Sequence, residues 1–218
     1  MIHLDAKLGR TIGFSRLIAW SLSASAQMYV NREWVETTGV PDNLDWTAST
    51  FDALGNVIVV GNTLVAPDNP DVLITKYGPT GAVLWQHTFA GGAGGQDYGA
   101  AVKADASGNC FVAAAVTGVG TDFDIAVLKY SANGTLLWSS TWNGPNNLAD
   151  APSCVSLDAS GNIFVAGGTF ATEANPNYAL VKMNASGTVI WSASYDYAGF
   201  ADVATGIEFD LANNPVIT

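Results

Sequence analysis

Hydrophobic residues in this chain fall in short runs punctuated by Gly, Asn, Asp and Ser, which is the pattern of strands joined by tight turns. The middle of the chain shows it most clearly. Positions 98–104 predict a strand, and Asp105-Ala-Ser-Gly-Asn109 predicts a reversal. A second strand is predicted over 110–117, a third over 124–130 after a looser loop, and a fourth over 135–142. The last two are joined through Asn133-Gly134, a dipeptide that tolerates the positive φ of a hairpin turn. Phe111-Val-Ala-Ala-Ala-Val116 and Ile125-Ala-Val-Leu128 are apolar on both faces. A strand of that kind belongs to a sheet covered on both sides.

The same order recurs. Trp85, Trp138 and Trp191 are spaced 53 residues apart, as are Lys76, Lys129 and Lys182, and Gly81, Gly134 and Gly187. The pentads Asp52–Asn56, Asp105–Asn109 and Asp158–Asn162 keep that register, and Asp210–Asn214 is a degenerate further copy. Internal periodicity of this length predicts a repeat architecture. With four antiparallel strands per period and sheets apolar on both faces, it predicts an all-β fold of β-propeller blades, stacked face to face as four-stranded meanders. Trp138 and Trp142 share a strand face, as do the pairs Trp85/Phe89 and Trp191/Tyr195, and are expected to wedge between blades. Carbohydrate stacking is the alternative role for them.

Residues 1–26 differ in composition. Lys7, Arg10 and Arg16 precede Leu17-Ile-Ala-Trp20, and Ala24 and Ala26 stand at the spacing of a signal-peptidase site. This segment reads as a secretory leader, with a wrongly chosen start codon as the alternative, and on that reading the protein is exported. Residues 27–218 are the repeat domain. It divides into an orphan outer strand at 29–37 that carries Trp34, blades at about 45–92, 97–145 and 150–198, and a partial blade at 202–218. That is an incomplete ring of about three and a half blades, since propellers use about four to eight. Further blades of the same longer chain are the expected neighbours.

The succession D-x-x-G-N, then Lys-Tyr (Lys76-Tyr77, Lys129-Tyr130), then N-G-x-x-x-W (Asn133-Gly134 to Trp138) resembles the SBBP, or seven-bladed β-propeller, repeat family of large exported bacterial proteins. The resemblance covers roughly residues 31–218. It implies a non-catalytic structural or binding module of a secreted or cell-surface protein. The G-x-x-x-W ending also resembles the tryptophan motif of quinoprotein (PQQ) dehydrogenase propellers, which is the alternative. A glycan-active propeller enzyme with its site in other blades is a third reading.

Charge narrows the partners. The net charge is −11 and the chain has no basic stripe, which excludes a phosphate-backbone binder, so nucleic acid is not expected. No apolar run reaches the ~20 residues of a membrane helix. No catalytic or cofactor-binding residue is expected. His87 has Ser140 and Ala193 at its repeat positions and no partner motif. Cys110 and Cys154 read as small buried hydrophobes, with a disulfide as the alternative. Ala90-Gly-Gly-Ala-Gly-Gly95 leads into a strand and so lacks the helix N-terminus that binds phosphate. Asn133-Gly-Thr and Asn184-Ala-Ser fit the N-glycosylation pattern but sit in the turn that every repeat uses.

Meander topology sorts the remaining charges. Lys76, Lys129 and Lys182 fall at the bottom beside Asp52, Asp105 and Asp158, as exposed pairs of little energetic weight. The loops and linkers at the top receive Glu36, Asp42, Asp45, Asp68, Asp71, Asp97, Asp122, Asp124, Asp150, Glu173, Asp196 and Asp202 and no Lys or Arg. This top is expected to be an acidic face without internal partners, engaging a protein or surface ligand. Asp71, Asp97, Asp122, Asp124 and Asp150 are the candidate metal ligands within it, of a kind that suits Ca²⁺. The competing reading is that these Asp residues start strands and cap loops.

Overall fold

The computed structural model describes residues 16–19, 28–31, 44–66, 69–172 and 175–218. Among the described residues there is no helix. Two short strands, β1 (Arg16–Ala19) and β2 (Met28–Asn31), pair antiparallel. The apolar run Leu17–Ile18–Ala19, read above as part of a leader, thus has a strand partner in the segment read as an orphan strand. The rest of that segment, with Trp34 and Glu36, lies outside the described residues, as do Asp42, Asp68 and Glu173.

Three four-stranded antiparallel sheets follow, each a simple meander. The first blade is β3 (Leu44–Phe51), β4 (Val57–Ala66), β5 (Asn69–Tyr77) and β6 (Val83–Phe89). The second is β7 (Asp97–Ala104), β8 (Cys110–Thr117), β9 (Phe123–Tyr130) and β10 (Leu136–Trp142). The third is β11 (Asp150–Leu157), β12 (Ile163–Phe170), β13 (Pro176–Met183) and β14 (Val189–Tyr195). The hairpin β15 (Ile207–Phe209) and β16 (Pro215–Ile217) begins a fourth. The first strands β3, β7 and β11 contact one another in succession, so the sheets stack around a common inner edge as propeller blades. The arc does not close among the described residues.

Alternation along the strands builds the core. In β8, Cys110, Val112, Ala114 and Val116 face the first blade, where they meet Ile58, Val60, Val72 and Ile74. Phe111 and Ala113 face the third blade and meet Ile163, Val165 and Val181. Phe164 and Ala166 on the far face of the third blade meet Ala204 and Ile207. The second sheet is therefore covered on both sides, the condition its doubly apolar strands impose, and the third is covered on its far face in part by β15 and β16.

The D-x-x-G-N turns are built alike in all four copies. Asp52 Oδ1 accepts from the amides of Leu54 and Asn56, both at 2.9 Å, and its Oδ2 accepts from Asn56 Nδ2 at 2.7 Å. Asp105, Asp158 and Asp210 repeat the arrangement at 2.8–2.9 Å. The glycine takes φ near +79° in the first three copies, and Asn213 takes +64° in the degenerate one. Burial of the Asp52 and Asp158 carboxyls works to raise their pKa, but these hydrogen bonds and the nearby lysine outweigh it and leave both below the ordinary value. The Asn214 side chain and the turn amides lower that of Asp210.

The bottom lysines correct one expectation. Lys76 is not an exposed partner: it is 2% exposed, and its Nζ lies 2.8 Å from Asp52 Oδ2. It also donates to the carbonyls of Gly108 at 3.3 Å and Ala132 at 3.2 Å in the second blade. Lys129 and Lys182 instead stand over the rings of Phe111 and Phe164, 4.9 and 4.8 Å from the centroids, and Lys182 reaches Asp158 at 3.6 Å. The cross-strand neighbour explains the difference. Ile58 lies opposite Lys76, where Phe111 and Phe164 lie opposite the other two. Without a π-face to rest on, the Lys76 ammonium takes its partners from the carboxylate and the next blade.

A buried cation with three partners and a half-exposed one over a ring should respond differently to neutralisation. Lys76→Met is expected to cost about 3 kcal/mol in urea unfolding, because Asp52 is left buried beside an apolar side chain. Lys129→Met is expected to cost less than about 1 kcal/mol. Equal losses in the two variants would contradict the buried pair as the stronger link.

Candidate functional site: carboxylates at the blade junctions

The top of the molecule is where the chain passes from one blade to the next, and Asp97 and Asp150 open the first strands of the second and third blades, with Asp202 at the equivalent position ahead of β15. Asp97 at the start of β7 is fully buried. It accepts from the amide of Gly91 in the linker and, at 3.0 Å, from that of Thr117. Asp150 at the start of β11 is also fully buried and accepts from the Gly144 amide at 2.6 Å. Asp202 accepts from the Tyr197 amide at 2.6 Å. All three carboxylates thus clamp the linker that precedes them. The glycines permit the approach, since a Cβ on Gly91 would lie 2.7 Å from Asp97 Oδ1 and one on Gly144 would lie 2.6 Å from Asp150 Oδ1. The Gly-rich segment 90–95 is accordingly an ordered linker turn, with Gly94 donating to the Gly91 carbonyl.

These contacts correct the expectation of an acidic face without internal partners. The strand-opening carboxylates are buried and bound to backbone amides. Others at the top are engaged locally: Asp122 with the Phe123 amide at 2.9 Å, Asp124 with the Thr121 hydroxyl at 3.2 Å, and Asp196 with the Gly199 amide at 2.9 Å. Asp122 and Asp196 remain exposed, and Asp45 lies in β3.

Of the five candidate metal ligands, the blade junctions bring four together in pairs, Asp71 with Asp97 and Asp124 with Asp150. Burial raises the Asp71 carboxyl above its ordinary pKa, and the charge of Asp97 adds to it. Burial likewise raises Asp150, assisted by Asp124, against the opposing Gly144 amide and nearby Thr169 hydroxyl. Asp124 is raised by burial as well. Asp150 Oδ1 and Thr169 Oγ1 are both buried without a hydrogen bond of ordinary geometry. Asp122, the fifth candidate, stays on the exposed loop. At the next junction the position of Asp71 and Asp124 is held by Asn177, and Asp202 lies beside it through the hydrogen bond from its amide to the Pro176 carbonyl, 2.8 Å. Among the described residues no three Asp, Glu, His or Cys side chains converge on a metal position. The sequence drew attention to Gly91 only as part of the Gly-rich segment 90–95 and not to Gly144 or Thr169, although Gly91 and Gly144 stand at the repeat spacing, six residues before Asp97 and Asp150.

The other chemical candidates are absorbed by packing. The exposed His87 ring joins Trp85 and Tyr130 in a three-ring cluster, 5.5 Å from the first and 5.6 Å from the second, which are themselves 5.9 Å apart. Cys110 and Cys154 are free thiols, and burial pushes that of Cys110 up to about 12, which makes it a poor nucleophile. Asn184 is occupied as a turn cap, accepting from the amides of Ser186 and Thr188.

No protein-family model matches the chain, and no curated protein matches it. Among solved structures it is similar to a protein of unknown function from Bacteroides caccae, with a TM-score of 0.54 at 12% identity over 93% of this chain. The match spans 64% of that protein, and at this identity the likeness is one of fold. A eukaryotic initiation factor also matches, with a TM-score of 0.46 at 8% identity over 84% of this chain and 43% of that one.

The two ends of the blades therefore titrate in opposite senses. Asp52, Asp158 and Asp210 have lowered pKa values, so their stabilisation is present above the ordinary carboxyl value of about 3.9 and lost as pH falls through their folded values. Asp71, Asp124 and Asp150 have raised values, so protonation favours the fold, and that contribution is lost as pH rises through them. Stability should peak in the mildly acidic range. Asp150→Asn keeps an acceptor for the Gly144 amide and removes the charge. It is expected to melt no lower than the parent at about pH 7 and to lose less stability as pH rises from about 4 towards 7. A melting temperature well below the parent at both pH values would show that the Asp150 charge is needed.

Proposed function

We propose that this chain is a non-catalytic binding propeller of the SBBP-repeat type, part of a larger exported bacterial protein, which engages its partner through the loops at the top of the blades. The observation that supports this reading is the uniform use of polar side chains across repeats. The carboxylates that could have built a reactive site recur at fixed positions and hold turns or linkers in one blade after another. Function must be argued from a site, and what the repeat leaves free is a rim carrying exposed Asp122 and Asp196 on a chain of net charge −11. Such a rim suits a cationic partner: a basic protein surface, or Ca²⁺ held in part by the junction carboxylates and loop carbonyls.

The experiment is a pair of titrations of the purified chain, one with Ca²⁺ by calorimetry and thermal melting and one with a lysine-rich peptide by anisotropy. Heat and a rise in melting temperature at millimolar Ca²⁺, or peptide binding that weakens with salt and is reduced by Asp122→Asn and Asp196→Asn together, is the expected result. Retention on heparin at physiological salt would overturn the proposal, because an acidic rim repels a polyanion.

A further inference from the structure

A cleft between the outer parts of the first two blades gathers side chains that the repeat does not explain. It measures about 430 Å³ and is bordered by His87 and Phe89 of β6 and by Tyr130, Asn133, Thr135 and Leu136 around the β9–β10 turn. That volume lies within the roughly 300–1,000 Å³ of small-molecule sites. Both of its walls belong to complete four-stranded blades. One period later, the positions of His87, Tyr130 and Asn133 hold Ser140, Met183 and Ser186. Three positions from two blades therefore depart together from the next junction, and the fold brings them to one place.

The His87 ring stands 5.5 Å from Trp85 and 5.6 Å from Tyr130, and it is nearly parallel to the latter, at 11°. Gly134 leaves room for it, since a Cβ there would lie 3.0 Å from His87 Nε2. Packing fixes the orientation of the imidazole, yet the residue is exposed and makes no hydrogen bond among the described residues. Asn133 Oδ1 accepts from the Ser131 and Thr135 hydroxyls, which leaves the Asn133 Nδ2 donor unused among the same residues. Preset polar groups lower the ordering cost of binding.

The lining determines what fits. Among the described residues it holds no Asp, Glu, Lys or Arg, so an ion finds no counter-charge there. It presents apolar surface from the partly buried Phe89 and from Leu136, which is 42% exposed. Beside that surface stand an imidazole, which in its neutral form both donates and accepts, and an amide that donates. A wholly apolar ligand would leave these polar groups unused. A sugar ring matches both, because its C–H face can lie on the apolar wall while its hydroxyls, each a donor and an acceptor, pair around the edge.

We propose that this cleft binds a neutral pyranose unit of a glycan, with His87 and Asn133 as its hydrogen-bonding pair and Phe89 and Leu136 as its apolar wall. The site lies at the bottom of the blades by the β9–β10 turn, and it is independent of the partner surface at the top.

The test is a titration of the isotope-labelled 218-residue chain with cellotetraose, mannotetraose and chitotetraose, and separately with tetragalacturonate, followed by amide chemical shifts. Saturable shifts at His87, Asn133 and Thr135 are expected with at least one of the neutral sugars, at a Kd of about 1 mM or tighter. His87→Ser places in β6 the residue that the second blade carries at Ser140, so the variant should melt close to the parent and bind at least about fivefold more weakly. Ser140→Ala in the second blade should leave binding unchanged. Absence of saturable shifts with all three neutral sugars, or equal binding by the His87→Ser variant, would overturn the proposal. Tighter binding of tetragalacturonate than of any neutral sugar would overturn the ligand class, and shifts confined to the top loops would overturn the site.

Discussion

A sheet that is apolar on both faces cannot stand alone in water, and that constraint governs this molecule. The central strands of each blade bury alternate residues in opposite directions, so the second blade is half of two cores, one shared with the first blade and one with the third. Stacking is then the stable arrangement for the sequence repeat, and the order of blades in space follows the order in the chain. The same constraint explains why the aromatic residues of the outer strands sit where they do. They seal the rim of a core whose centre is filled by Val, Ile and Ala.

Polar residues finish what the apolar ones begin, and they do so differently at the two ends. At the bottom, the carboxylates of Asp52, Asp158 and Asp210 are wrapped by turn amides and an Asn side chain, so their charge is stabilised. At the top, Asp97 and Asp150 are buried to hold the inter-blade linker, close to a second carboxylate from the preceding blade. The bottom turns make the hairpins rigid. The top clamps set the path from one blade to the next, and at the second junction the buried charge of Asp150, raised in pKa by burial, opposes the fold at neutral pH. A cation or a proton at such a junction would relieve that opposition, which is the physical link between the scaffold and the proposed cationic partner.

The repeat also admits variation where the packing allows it. One substitution across a strand pair, Ile58 in place of Phe, turns a lysine from a ring-stacked surface residue into a buried inter-blade tie. His87 occupies a position that is Ser140 and Ala193 in the other copies and becomes the third ring of a cluster with Trp85 and Tyr130. Neither departure from the repeat builds a reactive group. Both adjust the fit between neighbouring blades.

The sequence by itself determined the strands, the turns and the period, because hairpin chemistry is local: Asp, Gly and Asn at set positions close a turn whatever surrounds them. It also determined that the sheets are sandwiched, since apolar residues on both faces of a strand carry that information without coordinates. What only the tertiary structure decided is which groups from different blades meet. The backbone bulges at Trp46, Gly99 and Pro152 on the inner strands, and those just before Trp85, Trp138 and Trp191 on the outer ones, are register shifts that alternation does not reveal. The clamps from Asp97 to Gly91 and from Asp150 to Gly144 depend on the depth at which a linker is drawn in. The burial of Lys76 depends on carbonyls 32 and 56 residues away. These are contacts between surfaces, and their geometry is fixed only when two blades pack, because packing density and not local preference sets how closely one chain segment approaches another.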